Sequence, residues 1–322
     1  MKKLLSLILI VTVVFALTAC GGEDEKSKII IGEGDWDSNA FHDQVAKFII
    51  EEGYDTEVDI VAADTPVMIS GLKTKDLDLV LELWSDNVPT YQDDINNGDY
   101  IELSLNFDDN MQGIYVPRYL VEGDDAQAPD LKTVMDLNNY TDLFPDPEDS
   151  DKGIIYGGPE SWAATAMLHD KMAEYGLEDN YNFRPIDSNA TLSATLAAAY
   201  EKGEPWVGYN WEPTWIMGMY DMVLLEDSEY NESDYEKGIG AFPSVRVMVN
   251  STPEFVEDFP EIADFAKNYQ TSSKLTSEGL AYMQENKVEA DEAAIWFLKE
   301  HEEVWKPMVS DEAYDKIIEA IK

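Results

Sequence analysis

The sequence predicts an α/β protein built from two similar halves. Two observations carry this: strand-like and helix-like segments alternate along most of the chain, and a strand–glycine–tryptophan pattern occurs twice at matched spacing. Repeated βα units argue for α/β domains with mainly parallel sheets.

The elements follow in order. Ile29-Ile30-Ile31 is a short buried-strand run ending in glycines. Residues 39–52 place Phe41, Val45, Phe48 and Ile49 at helical spacing, and Gly53 stops the run. Residues 57–62 alternate as a strand, 66–74 read as a helix, and 77–83 (LDLVLEL) as a strand. The alternation continues through 153–156, 163–175, 192–202 and 206–209, and the last seventy or so residues are mostly helical.

The internal echo is more specific. Residues 28–36 give a strand, a glycine turn and Trp36, followed by a helix; residues 152–162 repeat that order and end on Trp162. Lys75 to Trp84 and Lys202 to Trp211 each run through a strand to a tryptophan nine positions on. Trp36 to Trp84 is 48 residues and Trp162 to Trp211 is 49. Each half thus sets two tryptophans just past strand C-termini, where open α/β sheets bind ligands. Two such halves facing one another direct four indoles into one cleft. A methylated ammonium cannot donate N–H hydrogen bonds, so the negative faces of aromatic rings are its natural partners.

The ends and the charge bound the setting. Lys2 and Lys3 precede an apolar run, Leu4 to Ala19, that is shorter than the ~20 residues a spanning helix needs. Small residues close it before Cys20, the sole cysteine. This reads as a secretory signal (1–19) whose ending resembles a bacterial lipobox, with Cys20 acylated as a lipid anchor and 20–27 as a tether. Sixty-six acidic against 22 basic residues give a net charge of −44. Such a surface repels nucleic acid and anionic headgroups and favours a cationic or zwitterionic ligand.

Gly34-Asp-Trp36-Asp-Ser38, Leu81-Glu-Leu-Trp84, Gly113-Ile-Tyr115-Val-Pro117 and Tyr209-Asn-Trp211-Glu-Pro-Thr-Trp215 together resemble the glycine betaine/choline family of ABC-transporter binding proteins. The resemblance covers essentially the whole mature chain. It implies a two-lobed, type II periplasmic-binding-protein-like fold with a hinge and an interlobe cleft, no catalysis and no cofactor. It also implies an ABC permease with a separate ATPase as partner, and contact with the membrane only through the lipid anchor. By motif, Trp84, Trp162 and Trp211 match cage positions, Trp36 a choline-type aromatic position and Tyr115 a further one, while Trp215 is expected to pack structurally. Family members often hold a ligand carboxylate with backbone amides after the second-lobe tryptophan and a histidine four residues after the first cage tryptophan. Here Ala163 and Ala164 supply the amides, but the other position is Val88, with Asn87 and Arg118 as the polar candidates nearby. That leaves glycine betaine and choline open, alongside carnitine, trimethylamine N-oxide and dimethylsulfonium osmolytes. Asp35 or Asp37, beside Trp36, can meet a cation or hydroxyl or simply cap the next helix.

The rival class is an exported acidic glycoside hydrolase with paired carboxylates. With 66 acids some pairs fall close by chance, so carboxylates alone carry little weight. His42, His169 and His301 show no metal-ligand spacing, and no metal is expected. Residues 146–153 suggest a calcium loop but carry Asp151 where the turn needs glycine, and read as a solvated turn. The expected lobes are 28–115 with 241–322, and 116–240, with crossings near Tyr115–Pro117 and Phe242-Pro243.

Overall fold

The computed structural model describes residues 28–322 apart from 161 and 236. The signal segment, Cys20 and the tether lie outside the described residues. Two sheets form two lobes. The first contains β1 (Ile29–Glu33), β2 (Val58–Ala62), β3 (Leu79–Trp84), β4 (Ile101–Phe107) and β11 (Val247–Ser251), in the order β2-β1-β3-β11-β4. The second contains β5 (Gln112–Pro117), β6 (Pro145–Asp146), β7 (Asp149–Gly157), β8 (Tyr181–Pro185), β9 (Gly208–Trp211) and β10 (Met222–Leu224). Its order is β10-β5-β9-β7-β6, with β8 paired to β7.

Strand alternation builds two apolar layers on the first sheet. Ile29, Ile31, Leu79 and Leu81 join one buried cluster, and Val80 joins the other with Ile30 packed against it. Helix Asp37–Phe48 covers the first layer with Phe41, Val45 and Ala46, all buried, and a wider turn, Ile49–Gly53, continues it. The C-terminal helices, which supply Phe265, Leu280, Phe297 and Ile317, complete that core. The second lobe has one core, from Tyr115 and Val116 through Ile155, Tyr181, Trp206 and Tyr209.

The sheets are mixed rather than mainly parallel. The βα-unit strands pair in parallel: β1 with β2 and β3, and β7 with β8 and β9. Strands next to the crossings pair antiparallel: β11 with β3 and β4, and β5 with β9 and β10. Parallel neighbours need a long crossover. β4 leaves the first lobe where β11 returns to it, so these two meet head to tail.

The crossings also sit differently from the expected positions. Gln112–Pro117 lies wholly in the second sheet, so the first crossing falls between Phe107 and Gln112 and not at Tyr115–Pro117. Phe242 packs on the second core, and the return runs through residues 243–246. Asn110, buried, ties the two limbs together. Its amide nitrogen donates to the Val245 carbonyl, and its oxygen accepts from the Val245 N–H at 2.9 Å. The Ser244 hydroxyl adds a bond to the Asp108 carbonyl. A third junction is the short helix Trp215–Met219 of the second lobe, where Gly218 lies so close to the Ser277 carbonyl of helix Ser273–Asn286 that a Cβ has no room.

The stretch 146–153 is a β6–β7 hairpin whose turn, Pro147-Glu148, is exposed. Asp146 is buried and accepts from the Glu148 N–H at 2.9 Å, Asn182 at 2.9 Å and Arg184 at 3.0 Å, which hold its carboxyl below the usual range despite burial. No described helix is long and apolar enough to cross a membrane.

Asn110→Ala leaves a buried N–H and C=O of Val245 without partners. We expect it to lower unfolding free energy by about 1–3 kcal/mol in denaturant titration, against a much smaller change for the exposed Asn96→Ala.

Candidate ligand-binding site

The four indoles fall into two pairs, one per lobe, all half-buried. Trp36 follows β1 and holds the capping position of helix Asp37–Phe48; Trp84 ends β3. Glu82, two residues before Trp84 on the same strand and fully buried, links them. Its Oε1 accepts from Trp36 Nε1, Trp84 Nε1 and Ser38 Oγ, each at 2.9 Å. Burial pushes the Glu82 carboxyl up to about 7 against the pull of these donors. Phe107 meets Trp84 edge to face at 6.1 Å.

The second lobe uses stacking instead. Trp162 holds the capping position of helix Ala163–Glu174, and Trp211 ends β9. The two rings meet edge to face at 5.1 Å, with Trp211 also stacked on Tyr209 at 5.9 Å. Tyr209 is buried and donates its hydroxyl to Gln112 Oε1 at 2.8 Å.

The helix starts at Trp36 and Trp162 are alike in a further way. Six other helices begin with Asp64, Ser188, Thr214, Thr252, Ser272 or Ser310, whose side chain accepts from the amide three residues on. Trp36 and Trp162 occupy that position with no acceptor. The amides of Ala163 and Ala164, in the first turn, have no intrahelical partner. Each indole also folds back over a glycine, Trp36 over Gly34 and Trp162 over Gly158, where a Cβ would strike the ring.

The remaining candidates separate. Asp37 opens the first helix, exposed at its surface with its carboxyl raised by partial desolvation from neighbouring protein, and lines a shallow cavity with Trp215 and Lys287. Tyr115 is buried in the second core, its hydroxyl directed to Glu212 at 3.4 Å. Trp215 packs against both lobes' cores. Val88 is buried and Asn87 exposed. Arg118 is engaged by Asp221 at 2.7 Å and Glu122 at 2.6 Å. Sequence reasoning missed Glu82 and Tyr209 as supports of the indoles. The signal for Glu82 was an acid inside the apolar run LVLELW.

Residues 27–300 match the model of the substrate-binding domain of ABC-type glycine betaine transport systems. The chain belongs to that family. Its members are extracytoplasmic substrate-binding components of transporters, so the chain is a binding protein for an ABC importer and not an enzyme, and the hydrolase alternative falls. It is 22% identical over 318 residues to the trimethylamine N-oxide-binding protein of Pelagibacter ubique, covering 95% of this chain and 99% of that one. Solved structures with the same fold include the glycine betaine/L-proline-binding protein of Borrelia burgdorferi (TM-score 0.64, 16% identity, 90% of this chain and 100% of that one). A choline-binding protein in complex with choline (0.64, 19%, 92% and 98%) and lactococcal OpuAC closed on glycine betaine (0.64, 18%, 88% and 100%) are similar to the same degree. These matches place the fold as a two-lobed periplasmic binding protein of type II.

Gly158→Ala forces the Trp162 ring off its seat. We expect altered tryptophan emission and near-ultraviolet circular dichroism with helix content retained, and a stability loss of about 1–3 kcal/mol.

Proposed function

We propose that the protein captures a methylated ammonium solute between its lobes, in a cage formed by Trp36, Trp84, Trp162 and Trp211, and delivers it to an ABC permease driven by a separate ATPase. The observation that carries this reading is the supported, half-buried state of all four indoles at strand ends or the helix starts that follow them, two per lobe. The N–H edges of Trp36 and Trp84 are taken by Glu82. What each leaves accessible is ring surface, the part that attracts a cation. Each such contact contributes ~0.5–2 kcal/mol, most when lobe closure excludes water. Tyr115 shapes the site from within the second core, and Asp37 faces the approach beside Trp36. The amides of Ala163 and Ala164 fit an anionic oxygen on the ligand, since a helix start favours negative charge.

Glycine betaine and choline are the first ligands of this class. Trimethylamine N-oxide is the second reading, and two observations favour it. A relative at 22% identity is a binder of that compound. The position where a carboxylate-binding histidine is expected holds the buried Val88. A ligand whose oxygen sits directly on nitrogen needs no second anion site. The lipid anchor at Cys20, with residues 1–19 removed, holds the protein at the outer face of the cell membrane.

Calorimetric titration with glycine betaine, choline and trimethylamine N-oxide decides among these ligands, and no heat with any of them sinks the reading. Trp84→Ala and Trp211→Ala should each weaken the preferred ligand at least about tenfold, a loss of ~1.4 kcal/mol; wild-type affinity in both would remove the cage. Cys20→Ala should move the protein from the membrane fraction to the soluble fraction, and unchanged partitioning would remove the anchor.

A further inference from the structure

Glu82 has an arrangement that simple packing does not require. A lone carboxylate in an apolar strand is costly unless its oxygens are satisfied. One oxygen of Glu82 accepts three bonds, and the other, also buried, has no partner. All three donors are neutral, and two of them are the indoles of the first-lobe pair.

We propose that Glu82 is the positioning residue of the cation site, fixing the planes of Trp36 and Trp84 and placing a negative charge at the N–H edges of both rings that raises affinity for a cationic ligand. This rests on the ligand reading above and deepens it. Hydrogen bonds to an ionised acceptor are roughly twice as strong as neutral ones, so the indoles are held hardest when Glu82 is charged. The same charge, at the ring edges, attracts a cation lying over the rings through low-dielectric protein.

The charge is also adjustable. Burial lifts the carboxyl to about 7. Asp43, on helix Asp37–Phe48, and Tyr269 both feel Glu82, and Glu33 on β1 acts on Asp43 in turn. His42 bonds Tyr269 at 2.9 Å, and burial keeps it neutral, with its pKa near about 3. Tyr269 is pushed further up, so it stays protonated. Asp43, raised by burial, Glu33 and Glu82, is the other carboxyl able to contribute. A bound cation favours ionised Glu82. By linkage, affinity is full above the midpoint of Glu82 and falls as pH drops through it, at most about tenfold per pH unit.

The test compares the full chain with Glu82→Gln, which keeps an acceptor oxygen but no charge, and with Asp43→Asn. In the ligand-free protein, the Nε1–H resonances of Trp36 and Trp84 are followed from about pH 5.5 to 8.5, a range that brackets a carboxyl raised to neutrality. Affinities for glycine betaine, choline and trimethylamine N-oxide are measured over the same range. We expect the two indole resonances to shift together with one midpoint in wild type, to shift with a moved midpoint in Asp43→Asn, and to stay still in Glu82→Gln. Glu82→Gln should bind about tenfold more weakly at neutral pH and lose the pH dependence. Indoles that do not titrate, or that titrate unchanged in Glu82→Gln, overturn the proposal, as does equal affinity of Glu82→Gln and wild type throughout. If wild type binds none of the three probes, the ligand reading is overturned, while the indole titration still decides the positioning role.

Discussion

A ring whose faces are to stay open must be held at its edge, and in the first lobe that hold is the Glu82 carboxylate. It accepts from Trp36, Trp84 and Ser38 with a single oxygen. The arrangement is expensive. A carboxyl raised from 4.5 to about 7 favours the protonated form in the fold, so the group costs stability as pH rises from the lower value through the upper one. The full cost is about 3 kcal/mol at the usual exchange of pKa for free energy. A fold that retains such a group beside two half-buried indoles places local order there ahead of stability.

The second lobe reaches the same end without a buried charge. Trp162, Tyr209 and Trp211 brace one another through edge-to-face and offset contacts, geometries that add ~0.5–1.5 kcal/mol beyond area burial. Tyr209 is anchored through its hydroxyl. In each lobe one helix starts on a tryptophan in place of a capping side chain; the starts at Thr90, Phe259 and Glu289 also lack a cap, so what sets these two apart is the large ring placed there. Gly34 and Gly158 leave room for the ring.

The two lobes are joined through the two chain crossings and a helix contact. Asn110 closes the two crossing limbs on each other at Val245, and Gly218 lets helix Trp215–Met219 lie against helix Ser273–Asn286. Trp215 and Trp211 belong to one short segment. The segment that carries Trp211 is therefore tied to the first lobe a few residues further along the chain.

The sequence by itself determined a good deal. Periodicity gave the helix over Phe41, Val45 and Ile49 and the strands at Ile29 and Leu79, because burial of one face imposes a repeat that a single segment displays. The duplicated spacing gave the four indoles, because both halves of the fold reuse one local pattern. Tertiary structure decided the rest. Glu82 is 46 residues from Trp36, and Asn110 is 135 from Val245. The antiparallel direction of β11 and the place of β5 in the second sheet follow from where the chain crosses between lobes. No local repeat records such a pairing. It depends on which surfaces meet when the two cores form, and that is settled only by packing the whole chain.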